Sequence, residues 1–294
     1  MPSSARLVAA VVCSVPIVIV STMPQHLAEE SLPFGQRIEA AFWDRLYSEP
    51  ADRGVSAFYY NWQGIDLATL RGALGSRMLP SVNRSRALVV GCGDSQLPEE
   101  LFDAGWQVAA LDKSRVVIED MSSRNGQRQP GLEWFAADAR SLPLLEPVFD
   151  VAVEAGVFDA MEAGGDDTII GAALSEMCRV LKRDAVLLSV SVQPPLYRLP
   201  VLERSLPQGW SVATSLRLPR RNPVDPRVAE LDLELDVGRL ALYAITSSDN
   251  AGALARALAQ PKEGSAATID ETAVVPPGSG DAGAPPTLYV TDAP

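Results

Sequence analysis

The sequence predicts an α/β protein with a Rossmann-like, seven-strand, mostly parallel sheet, helices on both faces and an antiparallel final strand. Three observations predict it. Short apolar runs alternate with segments of helical spacing from Ala87 onward, the first run ends in Gly91-Cys92-Gly93, and the next two end near aspartates, Asp112 and Asp138. The chain has 294 residues and 47% hydrophobic content, enough for one sizeable core with material left over.

The elements follow in order. Ala87 to Val90 reads as a strand, the glycine turn follows, and Leu97 to Ala104 has helical spacing that stops at Gly105. Val108 to Leu111 is the second strand, ending at Asp112; Val116 to Arg124 is a helix; Leu132 to Ala136 is the third strand, ending near Asp138. This βαβ rhythm demands parallel pairing. Phe149 to Glu154 is a fourth strand, Thr168 to Leu181 an amphipathic helix and Ala185 to Val192 a fifth strand. Trp210 to Leu218 and Leu240 to Thr246 complete the sheet, and the long polar connection between them permits an antiparallel pair.

The expected organisation is a domain over 32–247 with two flanks. Residues 1–31 hold an apolar stretch, Leu7 to Met23, and a linker. Pro16, Ser14, Ser21 and Thr22 weaken a membrane span, which leaves signal-anchor, targeting peptide and buried start as open readings. Residues 248–294 are rich in Ala, Gly, Pro and acidic residues and are expected to form a disordered tail.

Composition excludes several chemistries. With 25 basic against 37 acidic residues, the net charge of -12 argues against a nucleic-acid partner. Cys13, Cys92 and Cys178 lie far apart, in neither disulfide nor zinc spacing. The sole histidine, His26, sits in the N-terminal flank, so histidine-dependent nucleophilic catalysis and multi-histidine metal sites are excluded, and no metal is expected.

What remains is a ligand site at the carboxyl ends of the strands. Gly91 and Gly93 let backbone pass close to a ligand, or simply make a tight strand-to-helix turn. Asp112 stands where a carboxylate accepts from both ribose hydroxyls, which makes the site one for a nucleoside. A dinucleotide fold places a third glycine where this chain has Gln96, and the larger side chain disfavours a pyrophosphate there. S-adenosylmethionine carries no phosphate and suits the pattern. Asp138 is placed to accept from the adenine amine or to cap a following helix.

Several segments resemble successive motifs of one methyltransferase family. They are Val89-Val90-Gly91-Cys92-Gly93-Asp94-Ser95, the run Leu111 to Val117, and the run from Phe149 through Glu154-Ala155-Gly156 to Asp159-Ala160. Upstream, Phe42-Trp43-Asp44-Arg45-Leu46-Tyr47 and Tyr60-Asn61-Trp62-Gln63-Gly64 are similar to its N-terminal signature. The family contains the eukaryotic elongation factor 1-alpha lysine methyltransferases and the mitochondrial citrate synthase lysine methyltransferase. The resemblance runs from about Phe42 to Thr246 and implies an S-adenosylmethionine-dependent methyltransferase acting on a lysine of a protein substrate. A small-molecule methyltransferase and a catalytically weak cofactor-binding relative stay open beside it.

By that resemblance Trp43, Tyr47 and Trp62 contact the cofactor, whose sulfonium suits aromatic faces. Gly91 and Gly93, with Asp94 in place of a usual asparagine, line its methionine part; Asp112 and Lys113 hold the ribose; Asp138 and Ala139 meet the adenine. Two places depart from the family. Ala155 stands in the cofactor-contacting fourth motif where a lysine is usual, and Lys182-Arg183-Asp184-Ala185 replaces a Pro-Gly-Gly turn. Glu154 and Asp159 are the candidate catalytic carboxylates, placed to orient an acceptor lysine or take its proton; otherwise Glu154 binds cofactor and Asp159 caps a helix. The resemblance implies a cytoplasmic enzyme, while residues 7–23 leave membrane anchoring or organelle targeting open.

Overall fold

The structure, a computed structural model, describes residues 7–12, 15–20, 39–48, 65–74, 85–162, 168–219, 239–259 and 288–290. Two strands, β1 (Leu7–Val12) and β2 (Val15–Val20), pair antiparallel with Leu7 opposite Val20 and Val12 opposite Val15. Their Val and Ile content favours extended backbone, and these two segments of the apolar stretch are accordingly paired strand. No helix among the described residues is long and apolar enough to cross a membrane.

β3 (Arg86–Val90) is buried at every position, as a central parallel strand covered on both faces must be. Two helices precede it, α1 (Ala40–Ser48) and α2 (Leu67–Leu74). It is followed by α3 (Leu97–Asp103), β4 (Gln107–Asp112), α4 (Arg115–Arg124) and β5 (Leu132–Ala136). The chain then returns past β3 to lay down β6 (Phe149–Ala155), and α5 (Val157–Glu162) and α6 (Thr168–Val180) lead to β7 (Leu181–Ser191). After α7 (Pro195–Ser205) come β8 (Trp210–Pro219), β9 (Arg239–Ser247), α8 (Ser248–Ala259) and β10 (Leu288–Val290).

The sheet order is β10-β8-β9-β7-β6-β3-β4-β5. The strands β3 to β7 are mutually parallel, and β9 inserts antiparallel between β7 and β8, as the sequence predicts. β10 adds an eighth strand, parallel to Thr214–Leu216 of β8. Because successive strand residues face opposite ways, the sheet divides its core in two. Leu88, Val90, Leu111 and Leu187 pack with Phe158, Leu174 and Met177 on one face. Val89, Val108, Val153 and Leu188 pack with Leu70, Leu101, Trp106 and Met121 on the other.

The expectation of a disordered tail beginning at residue 248 is corrected. β9 runs directly into α8, whose Ala251 and Ala255, one turn apart, are buried, while α8 packs on β8 and β9. Averaging the composition over the whole tail hides this short stripe of good helix formers.

Register sets the site. Val90 pairs with Leu111 on one side and Glu154 on the other, and Asp112 pairs with Ala136. The four strands therefore end together. The connections leave β3 first toward β5 and then toward β7, so a crevice opens at the point where the order reverses.

Candidate active site

An open cavity occupies that crevice, about 980 Å³ with the solvent at its mouth included. Its floor is the glycine turn after β3, where Gly91 and Gly93 adopt left-handed φ of 64° and 50°. Space as well as conformation requires glycine here: a Cβ on Gly91 would lie 2.2 Å from Val157 Cγ2, and one on Gly93 2.6 Å from the Tyr47 hydroxyl. Cys92, between them, is buried in the opposite core, and burial first, then the Asp112 charge, pushes its thiol well above the usual range. It stays a thiol and is no nucleophile.

Asp112 lies on the cavity wall with each oxygen already anchored. Gly93 N–H donates to Oδ2 at 3.0 Å and Ser114 N–H to Oδ1 at 2.9 Å. Burial raises its pKa, an effect the two amides offset only in part. Each carboxylate oxygen retains accepting capacity, so the group can take a diol without losing its anchors. Lys113 lines the same wall, 3.5 Å from Asp138 Oδ2.

Asp138 and Ala139, after β5, line the cavity as well. The Asp138 side chain is more committed than the sequence reading implies, because Arg140 grips both its oxygens, with Nε at 3.0 Å from Oδ1 and Nη2 at 2.7 Å from Oδ2. Burial acts to raise its pKa, but the Arg140 hydrogen bonds and the Lys113 charge outweigh it and hold the carboxyl at about 2. It is an ionised acceptor at every physiological pH.

The mouth is covered by α1. Trp43 and Tyr47, one turn apart, both line the cavity and stack with centroids 6.3 Å apart. Trp62 lies outside the described residues. Ala155 lines the cavity beside Gly156, so the position where a lysine is usual presents only a methyl group.

Three assigned residues do not line this cavity. Asp94 has Arg124 and Asp120 of α4 as its charged neighbours; burial raises its pKa and its Oδ1 is buried without a hydrogen-bond partner. Its neighbours Gly93 and Ser95 line the cavity, whereas Asp94 itself does not. Glu154 is fully buried: Val157 N–H donates to it at 2.9 Å, Phe158 N–H at 3.4 Å, and the Ser189 hydroxyl also bonds to it. It therefore caps α5, while Asp159 lies inside that helix rather than before a following one. Asp159 instead accepts from the Ser191 hydroxyl, from Val192 N–H at 3.0 Å and from Arg198 Nη2 at 2.6 Å. Their assignment as catalytic carboxylates is corrected for a geometric reason: neither lines the cavity, and the oxygens of both are taken up by internal donors.

Sequence reasoning missed Arg198 altogether. Its guanidinium is wholly buried on α7, paired with Asp159 and, at 2.8 Å, with Glu162. A lone charge among buried Leu199, Val201 and Leu202 is the local sign that such a partner exists. Also missed were the apolar walls, among them Ile65, Val157 and Met161, which were passed over because they look like ordinary core.

The donor set fits S-adenosylmethionine. A glycine cradle that a single Cβ would fill, an anchored carboxylate with spare acceptor capacity, aromatic faces and apolar walls suit a nucleoside joined to a sulfonium. Comparisons with known proteins agree. The family described as "Methyltransferase domain" matches residues 88–189. The mouse EEF1A lysine methyltransferase 4 is 33% identical over 186 residues, covering 60% of this chain and 68% of that protein. The zebrafish eEF1A lysine and N-terminal methyltransferase is 36% identical over 143 residues, which are 48% of this chain but 19% of the longer protein. This chain thus spans about a fifth of the zebrafish protein's length. Among solved structures, the N-methyltransferase NodS of Bradyrhizobium japonicum, in complex with S-adenosyl-L-homocysteine, superposes with a TM-score of 0.51 at 16% identity, covering 71% of this chain and 97% of that one. A Leishmania major S-adenosylmethionine-dependent methyltransferase gives 0.50 at 14% identity, covering 72% and 82%. These two bear on the fold alone. The extent and identity of the mouse match, over a chain with this site, establish that the protein belongs to the eEF1A lysine methyltransferase family of S-adenosylmethionine-dependent methyltransferases.

Proposed function

We propose that this chain transfers a methyl group from S-adenosylmethionine to the side-chain amine of a lysine in a protein substrate. The observation that carries the reading is the cavity at the point of reversed strand order, with Gly91 and Gly93 forming its floor and Asp112 anchored on its wall. The relatives' names supply the acceptor class: those proteins are named for methylating lysine in eEF1A.

When bound, S-adenosylmethionine supplies an already activated methyl group on a sulfonium, so no acid is needed to expel the leaving group. The chain's task is alignment and exclusion of water. Asp112 holds the sugar end through the lone pairs its amide anchors leave free. Gly91 lets the backbone reach the ligand without a Cβ in the way, while Val157 walls that end. Trp43 and Tyr47 offer aromatic faces to positive charge, each contact contributing on the order of 1 kcal/mol. With Glu154 and Asp159 enclosed, an incoming lysine gives up its proton to solvent at the mouth rather than to either of them.

Incubation with radiolabelled S-adenosylmethionine and a proteome extract tests the reading. Labelled protein, with the label on lysine after hydrolysis, is the expected result. Label found only in metabolites would make the acceptor a small molecule, and cofactor binding without any transfer would leave a binding module.

A further inference from the structure

The helix that covers the cavity is held by little apolar packing. Of the nine residues of α1, only Leu46 is buried, and its principal neighbour is α4. Between the two cavity-lining aromatics sits Asp44, which the sequence reading assigned no role. One oxygen of its carboxylate, Oδ1, accepts from the Ser114 hydroxyl at 2.6 Å and from Val116 N–H at 3.3 Å, at the free amino end of α4. A carboxylate there also meets the positive end of the helix dipole.

Ser114 is the junction. Its own N–H donates to Asp112 Oδ1, its hydroxyl caps α4 by accepting from Val117 N–H at 3.4 Å, and that hydroxyl's proton goes to Asp44. Asp112 in turn takes Gly93 N–H, and the Tyr47 hydroxyl lies over Gly93 so closely that a Cβ would meet it at 2.6 Å. The path thus closes into a ring: Asp44 to Ser114, to Asp112, to Gly93, to Tyr47, and back along one turn of α1. Glu39, just before α1, adds an attractive field on Lys113 and Arg140 at the same rim.

We infer that Asp44 is a positioning residue: it latches α1 onto the ribose-side loop, so that Trp43 and Tyr47 are held over the cofactor, and it acts through those rings rather than by touching the ligand. The inference rests on the reading of the cavity as an S-adenosylmethionine site. Its consequence is that cofactor affinity depends on Asp44 only while the rings it positions are present.

The experiment uses the full chain, with Asp44→Ala and Asp44→Asn made in the wild type and Asp44→Ala also in a Trp43→Ala/Tyr47→Ala background. Calorimetry reads S-adenosylmethionine affinity, and hydrogen exchange reads the amides of 40–48. Asp44→Ala weakens binding about tenfold, and Asp44→Asn, which keeps an oxygen for Ser114 and Val116, stays within about threefold of wild type. In the background lacking both rings, Asp44→Ala changes affinity by less than about twofold. Amides of 40–48 exchange faster in Asp44→Ala while β3 to β6 keep their protection. Wild-type affinity and wild-type exchange in Asp44→Ala would overturn the latch. An equal loss with and without the rings would show instead that Asp44 acts on the ligand or on Asp112 directly. If the unmodified protein fails to bind S-adenosylmethionine, the functional reading falls, and exchange over 40–48 still decides whether Asp44 holds α1.

Discussion

The carboxylates at the ends of β4 and β5 and those at or just beyond the end of β6 occupy equivalent ground at the rim of one sheet, yet they are used in opposite ways. Asp112 and Asp138 line the cavity, anchored by loop amides and cationic side chains. Glu154 and Asp159 are enclosed, the first under the amino end of α5 and the second against Arg198. The turn that follows each strand makes the difference. After β4 the chain continues through Lys113 and Ser114 before α4 begins, leaving the carboxylate beside open space. After β6, Gly156 at φ 84° turns the chain so that the first amides of α5 land on Glu154. Each helix starts three residues after its carboxylate, so what separates a ligand group from a cap is which group takes the first helical amides: Ser114 accepts from Val117 N–H and leaves Asp112 free of that task, whereas the amides of Val157 and Phe158 fall to Glu154.

The largest expected effect tests the enclosed pair. Arg198→Ala strands Asp159 and Glu162 without their cation and should cost about 3 to 5 kcal/mol of stability in urea denaturation. A loss under about 1 kcal/mol would mean that water reaches the cluster and that the contrast with the cavity pair is weaker than drawn.

Next comes the pH response of Glu154. Burial pushes its carboxyl up to about 8, against about 4.5 when unfolded. Between those values the unfolded chain releases a proton that the native chain keeps, so this group's contribution to stability falls as pH rises through the window. Glu154→Gln removes that decline. Relative to wild type, the variant should gain on the order of 2 to 4 kcal/mol between pH 5 and pH 8. Parallel stability curves for the two proteins would place an ionised carboxylate in the native state.

On the cavity side, Asp112→Ala should weaken S-adenosylmethionine binding by about 2 to 3 kcal/mol, roughly a hundredfold. A folded variant with unchanged affinity would remove Asp112 from the site. The smallest effect belongs to Trp43→Ala, at about 1 kcal/mol for S-adenosylmethionine and less for S-adenosylhomocysteine, which lacks the positive sulfur. Equal losses for the two ligands would assign the ring to packing alone.

The sheet was largely legible because buried parallel strands are unbroken apolar runs; β5, for example, spans Leu132–Ala136 as expected. β10 was not read at all, and the start of β7 was read late. β7 starts at Leu181 rather than Ala185, since Lys182, Arg183 and Asp184 interrupt the apolar signal while the backbone stays extended. On the site, Gly91, Gly93, Asp112 and Asp138 were singled out from their positions at strand ends, and Lys113 and Ala139 from the family resemblance; all six line the cavity. The partners that decide what a carboxylate does were not. Asp44 meets Ser114 across 70 residues and Arg198 meets Asp159 across 39; the apolar neighbours of Arg198 show that it needs a partner, but neither separation leaves a local pattern that says which residue the partner is.

β10 has a consequence for how this molecule meets others of its kind. A ten-residue strand such as β8 at the margin of a sheet is a template on which any extended peptide can add. Here Leu288–Val290 already runs along Thr214–Leu216 and fills that place with a segment of the same chain. Shortening the chain ahead of residue 288 leaves the cavity untouched but exposes an adhesive margin, so the damage would appear as self-association rather than as lost catalysis.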